Sequence, residues 1–400
     1  MAPKLPIYMD NHASTPVDPR VFEAMKPYLT EHFGNPASTN HAFGWHAGES
    51  VERAREQVAA LIGASPKEVT FTSGATESDN TAVIGVARAQ QSKGRHIVVS
   101  PIEHNAVLDS CRYLAKKGYE TTVLPIDSSG VVKVEDVVES LRDDTILVCV
   151  MMANNEIGTV QPIAEIGAVC RERGILFHVD VAQALGRLPV DVNVLNADLM
   201  ALTAHKMHGP KGIGALWVRR TRPRVKLEPL IYGGKHERGL RSGTLATHQI
   251  VGFGKAAELG AVALVDGEVE RLKNLRDRLW DGLRAGIDGI SVNGSWEHRL
   301  PHNLNVSIPG VEGTALLMAI RDIAVSSGSA CNSENLKPSH VLVAIGVPDD
   351  AMHTSIRLGL GRFNTEEEVE YVIERLCTEV ERLRAMSPLM ATSKSEQLEI

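Results

Sequence analysis

Between about residue 50 and residue 220 the chain alternates short apolar runs with amphipathic stretches, and few architectures accept that rhythm. Helical periodicity over 49–62 leads to Val69-Thr-Phe-Thr72, and the turn Ser73-Gly74 opens a helix running to about Gln91. The run Ile97-Val-Val-Ser100 follows, then a helix over about 105–117 and the run Thr121-Thr-Val-Leu124. Apolar runs at 146–152, 175–179 and 199–203 continue the series. Such runs separated by amphipathic helices predict an α/β fold, with a mainly parallel sheet covered by helices on both faces. In sheets of that kind, ligands bind beyond the carboxyl ends of the strands. Polar residues gather at those ends here: Thr72–Thr76, Pro101–His104, Asn154-Asn155, Asp180 and Lys206.

Composition narrows the classes further. The 400 residues suffice for a large core and two domains, and the pattern changes after about Gly260. A charged helix over 266–285 carries Leu272, Leu275 and Leu279 on one stripe. Strand-like stretches at 290–292, 304–308, 323–325 and 355–359 are interleaved with helices at 313–322 and 365–386, which reads as an α+β unit. The formal net charge of −7 argues against nucleic acid as a direct partner and offers no basic stripe to a membrane. No apolar stretch reaches about 18 residues, and the start of the chain has neither a signal-peptide core nor an Arg-rich transit segment. Five cysteines lie far apart without a C-x-x-C pair, so neither a disulfide framework nor a resident metal site is expected. Together these features predict a soluble, cytoplasmic protein.

Lys206 stands out chemically. It follows the apolar run Leu199-Met-Ala-Leu202, is flanked by His205 and His208, and precedes Gly209-Pro210. An amine at the mouth of a pocket has its pKa lowered by desolvation and nearby cations, which suits Schiff-base chemistry. Asp180 ends the apolar run before it. A lysine that accepts an aldehyde, with a buried aspartate to hold a pyridinium nitrogen, is the pairing that pyridoxal 5'-phosphate (PLP) requires. Gln183 lies within reach of the ring hydroxyl.

Other strand-end residues fit around that pair. Thr72-Ser-Gly-Ala-Thr76 joins a strand to a helix, so uncapped N–H groups and hydroxyls can face one anion; the bland alternative is a helix cap by Ser73 or Thr76. His104 is placed to stack on a planar cofactor or shuttle protons, or simply to cap a helix. Arg357 sits inside the apolar stretch Ser355-Ile-Arg-Leu358, where a guanidinium needs a partner: a substrate carboxylate or an internal salt bridge. Ser326-Ser-Gly-Ser-Ala-Cys-Asn-Ser333 has too little side-chain carbon to pack as core, and it reads as a flexible loop exposing the Cys331 thiol.

These residues bring the chain close to a known family. Ser73-Gly-Ala-Thr-Glu-Ser78, Ala153-Asn-Asn-Glu156, His178-Val-Asp180, Ala204-His-Lys206, Arg238–Thr244 and Ser326–Cys331 resemble the motifs of group I cysteine desulfurases, among the class V aminotransferase-like PLP enzymes. The resemblance implies the fold type I architecture of PLP-dependent transferases. A large domain with a mainly parallel seven-stranded sheet would span 16–260. Residues 1–15 and 261–400 would form a smaller α+β domain carrying the nucleophile loop (about 326–338) and a polar C-terminal tail.

By the same resemblance, Lys206 would carry the cofactor and move the substrate's α-proton. Asp180 would pair with the ring nitrogen, Gln183 with the ring hydroxyl, and His104 would stack on the ring. Ala75, Thr76, Thr203 and His205 would hold the phosphate, joined by Thr244 from the other subunit of a homodimer. Asn155 and Arg357 would grip the carboxylate of L-cysteine. Cys331 would take the sulfur as a persulfide, leaving L-alanine, and could transiently ligate an iron–sulfur cluster. The acceptor would be an iron–sulfur scaffold protein or a tRNA-thiolation relay. The alternatives are a selenocysteine lyase, another class V lyase or aminotransferase, or a non-enzymatic sulfur carrier; Cys331 and an intact Lys206 weigh against them.

Overall fold

The computed structural model describes residues 3–221, 224–327 and 338–386. The expected alternation is present from the helix Ala42–Leu61 onward. Its largest sheet has seven strands, in the spatial order Val69–Thr72, Gly214–Val218, Leu199–Thr203, Leu176–Asp180, Thr145–Cys149, His96–Val99 and Glu120–Val123. Neighbours pair in parallel except at Gly214–Val218, which runs antiparallel to both of its neighbours. That strand is missing from the series of apolar runs, because its short Ala-Leu-Trp-Val segment directly follows a Gly- and Pro-rich loop. The strand interiors are buried on both faces, as Ile97, Val98, Leu147, Val148 and Trp217 show. Each such side chain contributes about 1.5–3 kcal/mol on leaving water, which fixes the sheet and so the positions of its ends.

One helix begins earlier than its periodicity suggests. It starts at Ala42 rather than 49, with His41 accepting a hydrogen bond from the Gly44 N–H at its N-terminus. Phe43 and Trp45 obscure the apolar stripe because they face solvent, at 55% and 60% exposure. The buried stripe is Gly44, Ala47, Val51, Ala54 and Val58, at helical spacing.

A second core lies beside the first. Leu272, Leu275, Leu279 and Leu283 of helix Glu268–Gly286 pack with Val369, Val372, Leu376 and Val380 of helix Glu366–Met386. They cover a four-stranded antiparallel sheet ordered Ser326–Ser327, Ser355–Gly359, Asn303–Ser307 and Ser291–Val292. Ile7 and Met9 belong to this core, and Ile7–Tyr8 pairs in parallel with Ile323–Ala324. From there the N-terminal segment crosses to the lysine loop: the Asn11 N–H donates to Gly359 O, the Thr15 N–H to His205 O and the Asp18 N–H to His208 O. This strap ties the second core to the carboxyl ends of the large sheet. No helix among the described residues is long and apolar enough to cross a membrane.

Candidate active site

The carboxyl ends of the large sheet open into a cavity of about 560 Å³. Lys206, Asp180, Gln183 and His104 line it, as do Ala75, Thr76, Thr203, His205, Asn155 and Arg357. Thr244 is exposed and lies outside this chain's cavity. Cys331, most of the loop at 326–338 and the polar tail beyond Met386 lie outside the described residues.

Lys206 follows strand Leu199–Thr203, and its Nζ donates to two main-chain carbonyls of the strap, those of His12 and Ala13, the latter at 2.7 Å. Burial, reinforced by the Arg357 guanidinium, pulls its pKa down to about 8. An amine with that pKa is part neutral near physiological pH, as a nucleophile must be.

Asp180 ends strand Leu176–Asp180 and is 5% exposed. Its Oδ1 accepts from the Ala182 N–H at 2.8 Å. Burial raises its pKa, while that hydrogen bond and the neighbouring His104 and Lys206 pull it back. Two further carboxyls, Asp79 and Glu103, are buried nearby and also raised, Glu103 to about 8, chiefly by desolvation. Of these acids, Asp180 has the Lys206 amine beside it, so it is the one suited to carry the negative charge.

The expected anion corner has the right construction. Helix Ala75–Gln90 begins after Gly74, and no side chain caps it. The cap anticipated from Ser73 or Thr76 does not form; the Ser73 N–H instead donates to Glu77 Oε2 at 2.8 Å, and Glu77 is held by Arg241 at 2.9 Å. Gly74 has φ 157°, a backbone state that favours glycine, and a Cβ there would meet nothing within 4 Å. A Cβ at Gly214 would lie 2.7 Å from the Gly74 backbone, so only glycine lets this strand seat the loop. The uncapped N–H groups of a long helix thus face the cavity, a ready site for a phosphate.

His104 and Arg357 also have the blander partners that the sequence left open, and Gln183 is tied to the strap. His104 caps helix Asn105–Ala115 through Nδ1, 3.1 Å from the Ala106 N–H, while its ring lines the cavity. Both ends of the Gln183 amide bond to His12, with Oε1 3.0 Å from Nδ1 and Nε2 3.0 Å from the carbonyl. Arg357 forms an internal salt bridge with Asp10 at 2.8 Å.

The sequence reading missed the strap as part of the site. His12 and Ser14 line the cavity, and Asp10 sits behind Arg357. His12 is fully buried beside His302, ring centroids 4.3 Å apart, and desolvation lowers its pKa to about 3, so the ring is neutral. The available signal was a polar triplet, Asp10-Asn-His12, directly after the apolar Ile7-Tyr-Met9.

A lysine and an aspartate at adjacent strand ends, beside an uncapped helix, define a fold type I PLP enzyme, and comparison with known proteins agrees. The chain belongs to the aminotransferase class-V family, whose sequence model matches residues 7–372. It is 58% identical over 386 residues to a curated protein of Anaeromyxobacter dehalogenans (strain 2CP-C) named Cysteine desulfurase IscS, covering 96% of this chain and 95% of that one. Among solved structures, one described as a NifS-like protein superposes with a TM-score of 0.88 at 38% identity, covering 96% of this chain and all of the other. Another, described as SspA in complex with cysteine, gives 0.78 at 37% identity, over 90% of this chain and all of that one. The family depends on PLP, and the residues present fit it: a low-pKa amine, a buried carboxylate with cationic neighbours, and an uncapped helix end in one cavity.

Proposed function

We propose that this protein is an L-cysteine desulfurase. It takes sulfur from L-cysteine, releases L-alanine, and carries the sulfur as a persulfide on Cys331. The observation that carries this reading is the convergence of Lys206, Asp180 and Arg357 on one cavity, in a chain 58% identical to a curated cysteine desulfurase. When bound, PLP supplies an electron-accepting ring that loosens the bonds at the substrate's α-carbon.

The chain's own residues supply positioning and proton movement. Lys206 takes or returns a proton at Nζ, which its pKa of about 8 permits near neutrality. Asp180 would hold the ring nitrogen, His104 would stack on the ring, and Gln183, braced by His12, would meet the ring hydroxyl. Ala75, Thr76, Thr203 and His205 are assigned the phosphate, at the uncapped helix end. Asn155 and Arg357 are assigned the substrate carboxylate.

The thiol assignment has independent support. Burial pushes Cys111 and Cys170 up to about 12, and raises Cys149 and Cys377 as well. None of those thiols is ready to ionise, which leaves Cys331 as the candidate nucleophile. Its thiolate attacks the substrate sulfur; the S–S bond forms as the C–S bond breaks. The electron pair left on carbon is protonated, which yields alanine.

The persulfide then passes to an acceptor, an iron–sulfur scaffold protein or a tRNA-thiolation relay, in the cytoplasm. Thr244 is assigned to the other subunit of a homodimer. Its exposure supports that assignment, as do the exposed apolar side chains Phe22, Leu29, Phe33, Phe43 and Trp45. The division into 16–260 and a smaller unit of 1–15 with 261–400 is supported by the two separate cores. Incubation with L-cysteine, quantifying alanine and trapping a persulfide on Cys331, tests the whole reading. Undiminished sulfide release by Cys331→Ala would sink it.

A further inference from the structure

We infer that Asp10 and the substrate's carboxylate compete for the same nitrogen of Arg357, so that Asp10 sets how tightly the amino acid is held. The inference rests on the reading of Arg357 as the carboxylate clamp. Arg357 lies in the middle of strand Ser355–Gly359 at 8% exposure. Its Nη2 donates to Asp10 Oδ1 at 2.8 Å and to Ser326 Oγ at 3.0 Å. The Ser326 hydroxyl in turn donates to Asp10 Oδ1 at 2.7 Å, closing a triangle. Nη1 donates to the Asn155 carbonyl at 2.9 Å, and the buried Nε finds no acceptor among the described residues.

A guanidinium grips a carboxylate through two parallel N–H groups, either end-on through Nη1 and Nη2 or side-on through Nε and Nη2. Both edges contain Nη2, which already carries Asp10 and Ser326. A substrate carboxylate gripped at two points therefore contends with them for Nη2. Ser326 is neutral and its hydroxyl can rotate. Asp10 is an anion, so it opposes a second carboxylate whether it stays or leaves. The same triangle contains Ser326, in the strand that leads toward Cys331, so exchange at Nη2 reaches the start of that segment.

The competition has a direction that positioning lacks. Asp10→Asn keeps the shape and the acceptor oxygen but removes the charge. If Asp10 competes, the holoenzyme variant binds L-alanine about three- to tenfold more tightly by calorimetry, and KM for L-cysteine falls in step with little change in kcat. L-Alaninamide, which has no carboxylate, binds both proteins equally; a folding defect would shift both ligands together. Asp10→Ser, as a second variant, gives the same direction. Weaker L-alanine binding in the variants overturns the proposal and makes Asp10 a residue that merely orients Arg357; equal shifts for both ligands overturn it too. Arg357→Ala separates the two ideas. If KM is unmoved by it, the clamp reading falls and the inference with it; if KM rises but Asp10→Asn does not tighten binding, only the inference falls.

Discussion

Two buried arginines in this molecule are built on opposite plans. Arg55, on the outer side of the large sheet, grips Glu237 with both ends, Nη1 to Oε2 at 2.7 Å and Nη2 to Oε1 at 2.8 Å. Its Nη1 also donates to Val69 O and its Nε to Glu52, while its guanidinium lies over the Phe71 ring, 4.7 Å from the centroid. Glu237 Oε2 further accepts the Phe71 N–H. Arg357, at the cavity, has a single carboxylate oxygen, two neutral acceptors and an idle Nε. A guanidinium closed two-point by its own chain is a fastening. One that meets a carboxylate at a single oxygen, with its other acceptors neutral, is left able to exchange partners.

That contrast can be broken at several places. The largest effect belongs to the cavity: Lys206→Ala should lower alanine formation from L-cysteine by about a thousandfold or more while leaving the thermal melt of the cofactor-free protein nearly unchanged. Next comes the fastening. Glu237→Ala removes the two-point partner of a buried guanidinium, leaves it only Glu52 at its Nε, and should cost about 3–5 kcal/mol of stability in denaturant titration, with KM preserved in whatever fraction remains folded. Arg357→Lys should show the reverse, raising KM for L-cysteine by roughly ten- to fiftyfold while stability moves by less than about 1 kcal/mol, because an ammonium cannot grip two-point. A midpoint shift as large as that of Glu237→Ala would erase the distinction.

The smallest effect is on protonation. The rate at which the cofactor-free protein takes up PLP should rise with pH through about 8, where Lys206 loses its proton, instead of near the ordinary lysine value. Arg357→Ala removes a cation that lowers the Lys206 pKa, so the midpoint should move upward. The same shift acts on stability. A lysine with a depressed folded pKa binds fewer protons than the unfolded chain between about pH 8 and its ordinary value, so its contribution rises with pH across that window. A loading midpoint indifferent to Arg357→Ala would uncouple the arginine from the lysine.

Much of this was readable in the chain, for definable reasons. Apolar runs that must be buried on both faces have few alternatives, and residues at their ends inherit a common rim; hence Thr76, His104, Asp180 and Lys206 were found together. Gly214–Val218 escaped because a glycine-rich lead-in hides a strand whose presence depends on two distant partners. Asp10 escaped because nothing local says that it meets Arg357, 347 residues away. The His12 tie to Gln183 spans 171 residues and was equally silent. Local periodicity reports the sheet; the pairings that brace its rim come only from the folded chain.

The strap of residues 7–18 has a consequence for how the protein is made. It is translated before the large sheet, yet its partners Ala324 and Gly359 are translated after that sheet. A nascent chain of about 260 residues already contains every strand of the large sheet, and so both Lys206 and Asp180. The strap's hydrogen bonds to Ala324 and Gly359 wait until most of the chain has been translated, and so does the antiparallel strand that carries Arg357. Cofactor capture in its final form therefore waits for segments translated before and after the large sheet to meet.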